Sequence, residues 1–147
     1  GAALIRAAKL TGFTVTLLDT RGEEQIGAAI EAADRFIPLR SFGEVEKIKL
    51  PADACYVVAP YSHATDGEAL GGVLRHTDAA YIGMIGSRRK IDAIYEKLEA
   101  EGFTPEQLAA VHAPIGLALG GEMPEEIAVS ILAEILMTRH GRTKADL

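Results

Sequence analysis

The sequence predicts an α/β fold: a doubly wound parallel sheet that lacks its first strand within this chain. Three observations carry that expectation. Short apolar, β-branched runs alternate with segments of helical period along the whole chain. The chain opens on a helical pattern, and a buried strand follows it at once, which implies a further strand ahead of Gly1. Glycine-containing or polar turns follow the strand runs, most clearly in Ala80-Tyr81-Ile82-Gly83-Met84-Ile85-Gly86-Ser87-Arg88-Arg89-Lys90.

Taken in order, Ala2 to Leu10 reads as a helix that Gly12 ends. Phe13 to Asp19 reads as a buried strand, with Val15, Leu17 and Leu18 apolar and Thr14 and Thr16 strand formers. Arg21 to Asp34 keeps helical spacing at Ile26, Ala29, Ile30 and Ala33, although Gly22 and Gly27 weaken it. Arg35 to Leu39 is a short strand closed by Pro38, and Ser41 to Leu50 a connection with some extended structure. Ala54 to Pro60 is a core strand, Tyr61 to Asp66 a loop at its carboxyl end, and Gly67 to Arg75 a helix.

Ala79 to Ile85 is the next strand and Arg88 to Ala100 the next helix, with Ile91, Ile94, Tyr95 and Leu98 on one face. Thr104-Pro105-Glu106-Gln107 starts a short helix: Thr104 caps, Pro105 takes the first helical position and Gln107 closes a capping box. His112 to Met123 is a loop long enough to suggest function. Pro124 opens the last helix, whose buried stripe is Ile127, Ile131, Leu132, Ile135 and Leu136, and the tail from Gly141 to Leu147 is polar and frayed.

The chain has 147 residues, which suits one domain truncated at its N-terminal edge. A net charge of -6 argues against general nucleic-acid affinity, which relies on a basic face. No run of about 18 apolar residues is present to span a membrane. One cysteine, Cys55, excludes an internal disulfide and a multi-cysteine metal site, and its place mid-strand suggests a packed, inert thiol. A cytoplasmic protein fits this composition.

In such a sheet ligands bind beyond the carboxyl ends of the strands. Gly86 and Ser87 lead a strand into a helix there, and helix N-termini bind anions through unpaired N–H groups and partial positive charge. Arg88, Arg89 and Lys90 follow at once, where cations oppose the helix dipole, so either an anion balances them or they are a solvated first turn behind the cap Ser87. Asp19 lies 18 residues after Gly1, near the spacing at which a dinucleotide fold places a ribose-binding carboxylate. Gly1 then stands where the last glycine of such a turn would be, and Arg21 can contact a ribose phosphate or pair with Asp19. His63 is a loop histidine that can bind an anion or move a proton, and Asp66 either holds it or caps the next helix, the cap being favoured. His112 precedes the rigid Ala113-Pro114-Ile115-Gly116 turn, which can place its ring over the pocket. Two lone histidines make no metal site.

Read together, Gly1 to Arg21, the Ala80 to Lys90 stretch, His112-Ala113-Pro114-Ile115-Gly116-Leu117 and Pro124-Glu125-Glu126-Ile127-Ala128-Val129-Ser130-Ile131-Leu132-Ala133-Glu134 occur in an order that resembles a known family. It looks like the Rossmann-type C-terminal domain of the xanthine dehydrogenase accessory proteins (XdhC/CoxI), over nearly the whole chain. The resemblance implies an accessory protein that binds the molybdenum cofactor (molybdopterin) and helps load it into xanthine dehydrogenase or a related molybdenum hydroxylase. It implies no catalytic residue and no metal ligand in this domain. The cofactor's phosphate suits Gly86, Ser87, Arg88 and Arg89, with Gly1, Asp19, Arg21, His63 and His112 as the other expected binding positions. Typical members carry an additional N-terminal domain that often holds a cysteine motif. Two departures stand out: the family's glycine-rich turn would lie before Gly1, and a loop that commonly reads Thr-His-Asp-His-Ala is here Pro60-Tyr61-Ser62-His63-Ala64, keeping one histidine as His63. The alternatives are an NAD(P)-binding oxidoreductase, by analogy of fold, and a scaffold that docks the target enzyme through the last helix. A homodimer is compatible with each.

Overall fold

The computed structural model describes residues 1–59 and 62–147, the side chains of His63 and Ala64 excepted. Its first half is a βαβ-like unit. Helix α1 (Ala2–Leu10) turns at Thr11 and at Gly12, whose φ of 95° is the left-handed conformation that glycine adopts without strain. Strand β1 (Thr16–Asp19), helix α2 (Glu23–Ala32) and strand β2 (Arg35–Pro38) follow. β1 and β2 pair in parallel, Thr16 opposite Arg35 and Asp19 opposite Pro38. Pro38, which lacks an N–H, is tolerated because β2 is an edge strand. β1 is shorter than its apolar run. Val15 instead anchors the start of β2, its carbonyl accepting from the Asp34 and Arg35 N–H groups. Within α2, Ile26 departs from helical geometry directly before Gly27.

In the second half, β3 (Cys55–Val58) and β4 (Tyr81–Met84) pair in parallel, Cys55 opposite Tyr81 and Val58 opposite Met84. The expected parallel pairing of these two runs is therefore present. His112 extends this sheet, donating its N–H to Ile82 O at 2.8 Å while accepting from Met84 N–H at 3.0 Å, so the predicted loop begins as a strand. Gly83 makes that crossing possible: a Cβ there would lie 2.5 Å from the Ile115 side chain and 2.6 Å from the Tyr81 hydroxyl.

Helices α3 (His63–Leu74), α4 (Arg88–Ala100), the short α5 (Pro105–Ala109) and α6 (Pro124–Arg139) complete the fold. The Thr104–Gln107 capping box of α5 is present. Three expectations are corrected. α3 begins at His63, not Gly67, so Asp66 lies inside the first turn and Ser62 takes the cap position. The Ser41 to Leu50 connection holds a 3-10 helix (Phe42–Lys47), which presses Phe42 and Val45 into the core against α3. Gly72 allows that approach, since a Cβ there would sit 3.1 Å from Val45 Cβ. The tail is not frayed: Thr143 caps a 3-10 turn (Lys144–Asp146), and Lys144 folds back onto α6.

The main core lies on one face of β3–β4, where Leu70, Met84, Ile91 and Leu98 are inaccessible to water. The opposite face packs Tyr81 on Ile131 and Ile135 of α6, with Leu4 and Phe13 at its margin. Among the described residues β1 pairs only with β2, and β3 only with β4. Between β1 and β3 lies a cavity of ≈ 750 Å³, lined by both strands, Gly1 and Asp19. The architecture is Rossmann-like, with the parallel β1–β2 and β3–β4 pairs separated by the cavity.

Candidate functional site

The carboxyl ends of β1, β3 and β4 lead into the segments singled out from the sequence. At β4, the Ile85 N–H donates to Val58 O at 3.0 Å and carries the ladder to the sheet edge. Ser87 then caps α4, accepting the Lys90 N–H on Oγ at 3.3 Å. As an acceptor, Ser87 keeps its own hydroxyl proton for another partner. The first-turn N–H groups of Arg88 and Arg89 have no acceptor within the helix, as at any helix start. Ser87, Arg88 and Arg89 are all exposed.

Lys90 behaves differently from the two arginines. Its Nζ lies 2.5 Å from Oδ2 of Asp66, which α3 buries completely. Both Asp66 oxygens lack an aligned hydrogen bond among the described residues, so this is an ion pair across the α3–α4 contact. Asp66 is therefore not the predicted helix cap. It draws one of the three cations inward and leaves Arg88 and Arg89 at the rim.

At the end of β1, Asp19 is buried, 7% exposed. It accepts the Arg21 N–H (2.9 Å) and Nε (3.3 Å) on Oδ1, and an Arg21 terminal nitrogen (3.0 Å) on Oδ2. The structure thus realises the pairing open to Arg21 from the sequence. Gly1 lines the same cavity, where a Cβ would meet only ordinary contact with Ala29 at 3.7 Å. His63 is the first residue of α3, but its side chain lies outside the described residues, as do Pro60 and Tyr61.

His112 stands on the α6 face of the sheet. Its ring stacks on Tyr81 with centroids 4.5 Å apart, and its Nδ1 lies 3.7 Å from Glu134 Oε1. Glu134, 1% exposed, accepts the Tyr81 hydroxyl at 2.7 Å and the Gly116 N–H at 3.0 Å on the same oxygen. Lys144 Nζ approaches Oε2 at 3.2 Å. Burial pushes the Glu134 carboxyl up, but these donors outweigh it and hold it below its ordinary value. Burial, then the bond to Glu134, pushes the Tyr81 hydroxyl far above its own. Sequence patterning does not single out Glu134. The available signal is a lone carboxylate inside the apolar stripe Ile131 to Leu136.

Cys55 is half-buried and borders the cavity, because the β3 edge it sits on is unpaired there; burial pushes its thiol up. Among the described residues no group of three His, Cys, Asp or Glu side chains can hold a metal ion, and no helix is long and apolar enough to cross a membrane. The donor set at the end of β4, a hydroxyl, helix N–H groups and two guanidinium groups, suits a phosphate. The resemblance implies a ligand that bears a phosphate, and this donor set is chemically suited to such a group.

Residues 1–135 match the family model described as the XdhC Rossmann domain. The chain is 32% identical over 139 residues to a protein of Escherichia coli (strain K12) named "Uncharacterized protein YqeB", covering 94% of this chain and 25% of that protein. It is 33% identical over 132 residues to a probable xanthine dehydrogenase subunit from Bacillus subtilis (strain 168), covering 88% of this chain and 37% of that protein. The crystal structure of a xanthine dehydrogenase from Bacillus halodurans shares the fold, with a TM-score of 0.77 at 22% identity over 99% of this chain and 41% of that one. The chain thus spans well under half the length of each of these relatives.

Proposed function

Because the chain belongs to the XdhC Rossmann-domain family, we propose that it serves as an accessory domain to a xanthine dehydrogenase-type molybdenum hydroxylase, holding the molybdenum cofactor by its phosphate and assisting its insertion. The observation that carries this reading is the separation of the cations at the start of α4. Lys90 is consumed by buried Asp66, whereas Arg88 and Arg89 stay exposed beside the Ser87 hydroxyl and first-turn N–H groups that have no acceptor within the helix. When bound, the cofactor supplies the molybdenum chemistry of the recipient enzyme. The residues of this chain bind and orient its phosphate and carry out no turnover.

The reading includes a parallel strand leading into Gly1, which would fill the cavity between β1 and β3 and restore pairing to both edges. A cytoplasmic location and a homodimer are compatible with it. A second reading, an NAD(P)-binding oxidoreductase, is favoured by one observation: a buried carboxylate, Asp19, ends β1 where a dinucleotide fold meets a ribose.

Titration of molybdopterin, and separately of NAD and NADP, against the full-length protein and its Arg88→Ala and Arg89→Ala variants distinguishes these readings. A charge-assisted contact is worth about 1.5–3 kcal/mol, so each loss should weaken binding roughly ten- to a hundred-fold. Dephosphorylated pterin should bind both variants as it binds wild type. Unchanged affinity in both variants for every phosphate-bearing ligand would reduce the stretch to a helix cap. Tight NAD(P) binding without pterin binding would favour the second reading.

A further inference from the structure

The Glu134 cluster lies apart from the phosphate site and joins three elements through one carboxylate. Oε1 is held by rigid parts of the fold: the Tyr81 hydroxyl from β4 and the Gly116 N–H from the loop, with His112 Nδ1 behind them. Oε2 is sealed from water and has no hydrogen-bond partner among the described residues. The charged group that faces it is the Lys144 ammonium at 3.2 Å. Lys144 is 58% exposed and sits in a single 3-10 turn, Lys144–Asp146. One of the groups that balance this buried charge therefore comes from an exposed segment only one turn long.

The loop end of the cluster is equally defined. Gly116 has a φ of 93°, and a Cβ there would lie 2.8 Å from Ser130 Oγ, so the loop is seated closely against α6. The next residue continues the seat, Leu117 donating its N–H to Ser130 O. On the other side, the Ile115 N–H bonds to Met84 O, two residues before Gly86. The seated loop thus borders the carboxyl end of β4.

We propose that the Lys144–Asp146 turn is a releasable latch on this loop, with Glu134 as the shared element. While Lys144 is docked, the carboxylate is balanced on both oxygens and holds Gly116 against α6. When the turn leaves, Oε2 loses its counter-charge, and a buried carboxylate in that condition draws in water. Water reaching Glu134 competes with the Gly116 N–H and loosens the loop. Coupling of this kind is reciprocal: whatever binds the turn frees the loop, and whatever displaces the loop weakens the docking of the turn. The latch is independent of which ligand the rim of the sheet takes.

Amide hydrogen exchange on the full-length protein tests this, with wild type, Lys144→Met, Lys144→Arg, Glu134→Gln and the Lys144→Met/Glu134→Gln double variant. Lys144→Met should speed exchange at Gly116 and Leu117 about fivefold, the lower end of the usual range of coupling between sites. The amides of His112 and Met84, in the sheet ladder, should keep their wild-type rates. Lys144→Arg should restore slow exchange, and in the Glu134→Gln background Lys144→Met should change nothing further. Wild-type exchange at Gly116 in Lys144→Met would overturn the latch, as would an acceleration spread evenly over β3 and β4. If Glu134→Gln does not fold, the Lys144→Met and Lys144→Arg pair decides alone.

Discussion

Asp66 and Glu134 are both carboxylates taken out of water, on opposite faces of one sheet, and they are balanced in opposite ways. Among the described residues Asp66 has one charged partner, the ammonium of Lys90. Glu134 draws on a hydroxyl, a backbone N–H, an imidazole and an ammonium from four places in the chain. The contrast teaches where a buried charge makes a fold brittle. Removing one partner of a buried pair strands the other, whereas a distributed set degrades by steps.

The largest expected effect follows on the brittle side. Lys90→Met strands the Asp66 charge and should cost about 3–5 kcal/mol in urea unfolding. Adding Asp66→Leu should return most of that stability, because an apolar pair of similar volume often does as well as a buried ion pair. A double variant no more stable than Lys90→Met would mean that Lys90 acts in some other way.

On the distributed side, Glu134→Gln keeps an acceptor for Tyr81 and Gly116 and should cost less, about 1–3 kcal/mol. Acid sharpens the comparison. The folded Glu134 carboxyl lies below its unfolded value near 4.5, so its stabilising contribution is complete above that pH and is lost as pH falls through the folded value. The stability gap between wild type and Glu134→Gln should therefore narrow on acidification from pH 5 in pH-resolved unfolding. At the alkaline end the sign reverses. The folded Tyr81 hydroxyl titrates above its unfolded value near 10.0, so its contribution is complete below that pH and declines as pH rises beyond it. Tyr81→Phe should flatten that decline. The smallest effect belongs to Lys144→Met: an exposed partner is worth at most about 1 kcal/mol, and global unfolding should scarcely register its loss.

The sequence made much of this molecule legible. Helix α4 was readable because its apolar period, its Ser87 cap and Gly102 all agree. The parallel pairing of β3 and β4 followed from strand–helix alternation alone. The start of α3 was set too late, at Gly67, because Tyr61 to Asp66 read as a loop with Asp66 as the favoured cap. Within the helix, glycines serve tertiary contact that no local pattern reveals: a Cβ on Gly71 would touch Leu98 and Phe103, and one on Gly72 would crowd Val45. The 3-10 helix at Phe42 was hidden for the same reason, since its order comes from packing on α3. At the site, the cations after Gly86 were visible but the partner of Lys90 was not. Asp66 sits 24 residues earlier on another helix, and no local pattern links the two. Glu134 is hard to recognise from sequence because its donors come from β4, the loop and the tail.

The open centre of the sheet has a practical consequence. β1 and β3 each turn toward the cavity a strand edge that pairs with no other described strand. Such edges recruit any extended segment that can complete the ladder, including one from another copy of the chain. A preparation of these 147 residues should therefore cloud as it is concentrated, and its sedimentation should shift with loading. Added salt should do little to prevent this, because backbone hydrogen bonding rather than charge attraction drives the association. Supplying a short extended peptide that pairs with these edges should clear the solution.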